Sequence, residues 1–389
     1  MSGTGNTVPT GIAILGAGIF AKEAHLPALA SLGGSITLKA TYSRSERSAS
    51  DLAVAAQKTL GLTATPDVYY DSSSDHNLDA LLARSDISAV IVVLPITTQP
   101  SIILKALAAG KHVLSEKPVA PDVASGLKLI AEYETKYKAK GLVWRVAENY
   151  EAEPGQRVAA EAIKTGKIGS ITYFSARFVN YVDENSKWYQ TPWRTVPDYQ
   201  GGFLLDGGVH FAAVLRELFP TPLKGLSGFA SLNKKILAPH DTITATLNFE
   251  GGPHGLLEIS FAAPHLDCGL GNGYTIIGSD GWLTLSWGPY LKDDEGKPVS
   301  AIQVTINKTV KTKKENGDVE TKVETEVIHE RTRGVQVEIA SFLHAVEGQD
   351  DGLGLGEARN ALKDVAVIEA ALNSGGKYID LQALVQERS

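Results

Sequence analysis

The sequence predicts an α/β fold: a doubly wound parallel sheet followed by an α+β domain. Two observations carry that expectation. Over the first third of the chain, short apolar runs bounded by glycine alternate with helical patterns, as buried parallel strands and their crossovers do. Beyond Ile171 the strands lengthen and alternate apolar with polar residues, the mark of an antiparallel or mixed sheet with one face covered. The 389 residues suffice for two domains, with 1–146 expected to form the first and 147–389 the second.

The elements follow in order. Gly11–Leu15 reads as the first strand, and the turn Gly16-Ala17-Gly18-Ile19-Phe20-Ala21 leads into a helix over Ile19–Leu32. A second strand is expected at Ile36–Tyr42, a helix at Ser50–Leu60, and a strand at Val90–Leu94. A helix at Ser101–Ala109 then precedes a strand through Lys111–Leu114 that ends at Ser115-Glu116-Lys117-Pro118. Val143–Ala147 is a further strand and Gln156–Thr165 a helix. The longer strands are expected at Ile171–Tyr181, Asp241–Phe249, Gly255–Phe261, Gly273–Gly278 and Gly281–Ser286. Residues 301–329 read as a polar hairpin around Asn316-Gly317, its charges a solvated surface. Two closing structural helices span Val335–Glu347 and Glu357–Ser374.

The glycine turn has the flanks that dinucleotide binding needs. Gly16 permits the tight turn, Gly18 lets a pyrophosphate approach the backbone, and Ala21 keeps the helix close to the strand. The helix N-terminus then turns free N–H groups toward phosphate. The end of the second strand selects the cofactor. An Asp or Glu there would hold the ribose 2′-hydroxyl of NAD. This chain has Ser43, Arg44 and Ser45 instead, which suit the 2′-phosphate of NADP.

Lys117 is the most informative residue. Pro118 bars a helix from starting at it, and a lysine at the carboxyl end of a parallel strand faces the crevice where such sheets bind ligands. The second domain carries Gly201-Gly202-Phe203-Leu204-Leu205-Asp206-Gly207-Gly208-Val209-His210. Its double glycines imply tight backbone turns beside something bulky. Asp206 and His210 share one face if a helix begins here; Asp206 can then cap it and orient an imidazole suited to proton exchange.

Composition narrows the partners. The net charge of −7 is spread along the chain, which argues against nucleic acid or an anionic membrane as the main partner. No apolar run reaches the roughly 18 residues of a membrane span. Met1–Thr10 is polar, without the pattern of a signal peptide. With Cys268 the single cysteine, no internal disulfide and no cysteine metal cluster are expected, and a cytoplasmic location is the default.

The ordered motifs at Gly16–Ala21, Ser115–Pro118, Ala147–Tyr150 and Asp206–His210 resemble the Gfo/Idh/MocA oxidoreductase family over nearly the whole chain. Gly18–Ala21 followed by His25-Leu26-Pro27, with Val146–Asn149, Trp193-Arg194 and Gly201–His210, looks like a fungal branch of uncharacterised NADP(H)-dependent oxidoreductases. The resemblance implies an N-terminal Rossmann domain and a C-terminal domain with a large open, mostly antiparallel sheet, the site lying between them. It implies a homodimer or homotetramer through that sheet, and a sugar, polyol or related carbonyl compound as substrate. By the same match Lys117, Asp206 and His210 are catalytic, and Asn149, Trp193 and Arg194 shape the substrate site. The cofactor set is Gly16, Gly18, Ile19, Phe20, Ser43, Arg44, Ser45, Leu94, Pro95, Glu116 and Lys117, and no metal is implied. Glu116 is expected to anchor its loop rather than act in catalysis.

Two departures bear on substrate choice. Many relatives carry Pro-Asn-x-x-His where this chain has Pro95-Ile96-Thr97-Thr98-Gln99, and an acidic residue where Ala213 stands. Some relatives keep the fold and the nucleotide site as non-catalytic regulatory proteins. Retention of Lys117, Asp206 and His210 favours an enzyme here.

Overall fold

The computed structural model describes residues 10–386 apart from 267, 269, 270 and 317. Residues 1–9 of the polar N-terminal run and Gly317 of the expected hairpin turn lie outside the described residues. The chain forms two compact units. The first comprises the chain up to Ala120, Ala124–Asn149 and Val335–Ala361; the second comprises Pro121–Val123, Tyr150–Gly334 and the chain from Leu362 onward.

Six strands build the first unit's sheet: β1 (Thr10–Leu15), β2 (Ile36–Ser43), β3 (Asp67–Tyr70), β4 (Ala89–Val92), β5 (His112–Glu116) and β6 (Trp144–Ala147). All pair in parallel, in the order β3-β2-β1-β4-β5-β6. The expected doubly wound sheet is therefore present. Ile12, Ile14, Leu38, Ile91 and Leu114 supply its core, against Leu26, Leu29 and Leu52 from the helices. Ile339, Phe342 and Leu343 of the late helix Gly334–Val346 join the same core.

Two of the expected helices take a different form. The helix Glu46–Leu60 starts four residues early because Ser45 caps it, accepting a hydrogen bond from Ser48 N. The segment after the glycine turn is helical to Ser31, but Ala21–His25 forms a π-helical turn ahead of the α-helix Leu26–Ser31. Such turns are often found at functional sites.

The second unit is built on β7 (Ile171–Val179), β8 (Leu223–Ser231), β9 (Thr242–Phe249), β10 (His254–Ser260), β11 (Gly273–Gly278), β12 (Gly281–Lys292), β13 (Pro298–Lys313), β14 (Val319–Arg331) and β15 (Ile379–Asp380). They form one sheet in the order β14-β13-β12-β11-β7-β10-β9-β8-β15. Only β7 and β10 pair in parallel among the described neighbours, so the sheet is mixed and mostly antiparallel, as expected. The polar hairpin is β13 with β14.

The helix Phe203–Leu218 is apolar nearly all round and buried. A Cβ at Gly207 would lie 2.8 Å from the Phe261 ring, and one at Gly208 would lie 2.9 Å from Ile368 Cδ1. The second glycine pair thus serves close packing within a helix, not a turn. Gly201 and Gly202, with φ of 73° and 54°, form the turn that precedes it.

Candidate active site

In the first unit, parallel pairing brings every strand's carboxyl end to one edge, and the strand order reverses between β1 and β4. Ligands of open α/β sheets bind outside such a reversal. Gly16 follows β1, Ser43 ends β2, Leu94 and Pro95 follow β4, Glu116 ends β5, Lys117 follows it, and Asn149 follows β6. All the first-unit residues singled out in the sequence therefore lie along this edge.

The local chemistry suits a dinucleotide. Gly16 has φ 117°, its N–H donates to Tyr42 O at 2.9 Å, and a Cβ there would sit 2.0 Å from Val93 O. No other residue fits. A Cβ at the exposed Gly18 would meet nothing within 4 Å, which leaves open ground beside the backbone where a pyrophosphate is wanted. Ile19 and Phe20 open the helix, and the Phe20 ring stands edge-on to His25 at 5.3 Å.

Glu116 is buried, and its Oε1 is hydrogen-bonded to Nε2 of the fully buried His25 at 2.7 Å. That bond ties the end of β5, one residue before Lys117, to the π turn. Trp144 Nε1 donates to Ser115 Oγ at 3.0 Å and steadies the same strand end.

At the end of β2, Arg44 is exposed, whereas Ser45 Oγ is engaged with Ser48 as the helix cap. The Tyr42 hydroxyl donates to Asp71; burial, then that bond, pushes its ionisation above the usual tyrosine range. Gln99, at one of the family departures, is buried, and its amide has no hydrogen-bond partner among the described residues.

In the second unit the N-cap of the helix Phe203–Leu218 is Gly202, so Asp206 is not the cap. Asp206 lies buried in the first turn, and its Oδ2 accepts from Arg194 Nε at 2.7 Å. Arg194 also donates to Thr191 Oγ1 at 3.2 Å, and its guanidinium covers the rings of Trp193 at 3.9 Å and Trp188 at 5.3 Å. This packing leaves the cation little freedom.

One turn beyond Asp206, the His210 ring stacks on Tyr150 at 4.4 Å and 19°. Tyr150 also stacks near Trp287 at 6.0 Å and meets Phe211 edge-on at 6.1 Å. The structure thus groups Trp193, Arg194 and Asp206, with His210 on the same helix. It adds Tyr150, Trp188 and Trp287, which motif reading had not given a role. Tyr150 lies in the quoted Ala147–Tyr150 motif; Trp287, on β12, carries no local signal.

Comparison with known proteins now decides the family. Residues 10–141 match the model of an oxidoreductase family's NAD-binding Rossmann fold, and residues 160–381 match that family's C-terminal α/β domain. The chain belongs to the Gfo/Idh/MocA oxidoreductase family. It is an oxidoreductase with an NAD(P)-binding Rossmann domain. It is 40% identical over 299 residues, 75% of this chain and 82% of the relative, to "Dehydrogenase FPY6" of Fusarium mangiferae.

Among solved structures, an oxidoreductase from Thermotoga maritima is 28% identical with a TM-score of 0.76, over 97% of this chain and 99% of that one. A 3-ketoreductase from Actinomadura kijaniata, in complex with NADP and TDP-benzene, shares the fold with a TM-score of 0.68 at 22% identity, over 94% and 98% of the two chains. No helix among the described residues is long and apolar enough to cross a membrane.

A buried charge cluster supports the helix Phe203–Leu218. Arg216, near its end, donates to both carboxylate oxygens of Asp364 at 3.0 and 2.9 Å, to Glu151 at 3.3 Å and to Glu217 at 3.2 Å. Glu151 adjoins Tyr150, so the cluster fastens the segment that carries Tyr150 to the helix that carries His210. Burial, reinforced by Glu217 and Asp364 and opposed by Arg216, pushes the Glu151 carboxyl up to about 7. A raised carboxyl pKa stabilises the fold below its unfolded value, near 4.5, and the gain is lost as pH rises through 7. Wild type should therefore lose on the order of 3 kcal/mol relative to Glu151→Gln between about pH 5 and 8. Paired denaturant titrations at the two pH values check this, and parallel curves would contradict it.

Proposed function

We propose that this chain is a cytoplasmic NADP(H)-dependent oxidoreductase acting on the carbonyl or carbinol carbon of a sugar, polyol or related small carbonyl compound. The observation that carries the reading is the fixed pair on one helix: Asp206 held by Arg194, and His210 one turn later against Tyr150. The nicotinamide supplies the hydride chemistry at C4 when bound. His210 gives or takes the proton on the substrate oxygen, and Lys117 donates a hydrogen bond to that oxygen and stabilises its developing negative charge. Asp206 holds positive charge in the site through Arg194. Asn149, Trp193 and Arg194 orient the substrate.

NADP is favoured by the exposed Arg44 and the lack of a carboxylate where β2 ends. The NADP in the Actinomadura kijaniata 3-ketoreductase accords with it, and that enzyme's being a ketoreductase accords with a carbonyl substrate. A homodimer or homotetramer through the second unit's sheet belongs to the same proposal. The exposed Ile277 on β11 and Trp282 on β12 accord with it.

Two variants test the assignment. Lys117→Ala should lower turnover about a thousandfold while NADPH affinity holds within about threefold. Arg44→Ala should weaken NADPH about ten- to a hundredfold and leave NADH unchanged. Steady-state absorbance of the reduced nicotinamide over a carbonyl and polyol panel, with fluorescence titration of both cofactors, reads both. Unchanged turnover sinks the Lys117 role, and unchanged NADPH affinity sinks the phosphate site. Tight NADPH binding with no oxidation across the panel would instead mark a regulatory protein.

A further inference from the structure

The glycine turn and Lys117 sit on different strands of the first unit's sheet. Gly16–Ala21 follow β1, Lys117 follows β5, and β4 stands between the two. No backbone ladder therefore joins β1 to β5. On the β4 side, the pairing of β5 stops at Val92 with Ser115, and Glu116 pairs toward β6, with Ala147. The ladder that faces the glycine turn thus ends two residues before Lys117.

One side-chain bond spans the gap. His25 closes the π-helical turn Ala21–His25, and its Nε2 is hydrogen-bonded to Glu116 Oε1 at 2.7 Å, across 91 residues of chain. His25 is fully buried and Glu116 is 7% exposed, so water does not compete for the bond. The Phe20 ring packs edge-on to the imidazole at 5.3 Å.

Stability alone is a poor reason for this pair. Buried polar pairs of this kind are often matched or bettered by apolar residues of similar size. His25 also keeps Nδ1 buried with no hydrogen-bond partner among the described residues, a cost that an apolar side chain would avoid. What the pair does supply is a fixed distance between the segment after the glycine turn and the residue before Lys117. An ammonium on a flexible four-carbon stem needs its backbone held if it is to meet one oxygen.

We propose that His25 is a positioning residue for Lys117: through Glu116 it sets the backbone at the end of β5, and with it the reach of the lysine. The proposal rests on the reading of Lys117 as catalytic. His25 needs no contact with cofactor or substrate for this role.

The test is a double-mutant cycle in the full-length protein, read as NADPH oxidation with the carbonyl panel and as Tm. His25→Leu with Glu116→Met removes both partners, so neither is left buried alone. With Lys117 present, kcat should fall about tenfold or more, while KM for NADPH holds within about threefold and Tm within about 3 °C. On the Lys117→Ala background the same two changes should alter kcat less than about threefold, because the residue they act through is gone. His25→Gln, whose amide can still donate to Glu116, should keep kcat within about threefold of wild type. Equal losses of kcat on both backgrounds overturn the proposal, as does undiminished turnover with Lys117 present. So does a paired variant melting about 10 °C or more below wild type, which would make the bond a requirement of the fold. The two readings fail separately. Lys117→Ala with undiminished turnover overturns the role of Lys117 and takes that of His25 with it, whereas equal losses on both backgrounds overturn His25 alone.

Discussion

The strand order of the first sheet reverses between β1 and β4, and this constraint governs the nucleotide half of the molecule. Crossovers leave the reversal in opposite directions, so the chain diverges there and a crevice opens at the carboxyl edge. Closing β1 against β4 tightly enough to form it leaves no room for a Cβ at Gly16, whose position is walled by the Val93 carbonyl. Gly18, two residues on, has the opposite property, with open space where a side chain would be. The fold requires the first glycine and leaves open ground at the second. The His25–Glu116 bond carries that order along the edge from the helix after β1 to the end of β5.

The second unit solves a different problem, holding charged side chains at fixed positions in a buried helix. Gly207 and Gly208 let that helix approach Phe261 and Ile368, which buries Asp206. A buried carboxylate needs a partner, and Arg194 provides it with a cation restrained by two tryptophans. Arg216 repeats the device further along, against Asp364 and Glu151. Both arrangements trade flexibility for orientation, which the proposed proton transfer at His210 needs.

Much of this was legible in the sequence. Glycine flanks and apolar runs located β1, β2, β4 and β5, because buried parallel strands leave a compositional mark. β3, with Asp67 and a polar following loop, leaves little. β8 contains Gly225 and Gly228, which dilute the alternation that reveals a strand. Periodicity shows that Gly334–Val346 has an apolar face but not which core will bury it. The residue spacing put Asp206 and His210 on one helical face, yet made Asp206 a cap, because the sequence does not show that Gly202 begins the helix. Trp287 was illegible for a related reason: burial and ring stacking are properties of the assembled chain.

The central claim is hydride transfer from the nicotinamide to a carbonyl carbon. It is tested most directly with NADPH deuterated at C4 on one prochiral face or the other, followed by mass spectrometry of the alcohols formed from a carbonyl panel. The account predicts that one deuterium enters the carbinol carbon of the product, from one face only. NADPH that binds but delivers no deuterium to any product carbon would contradict it.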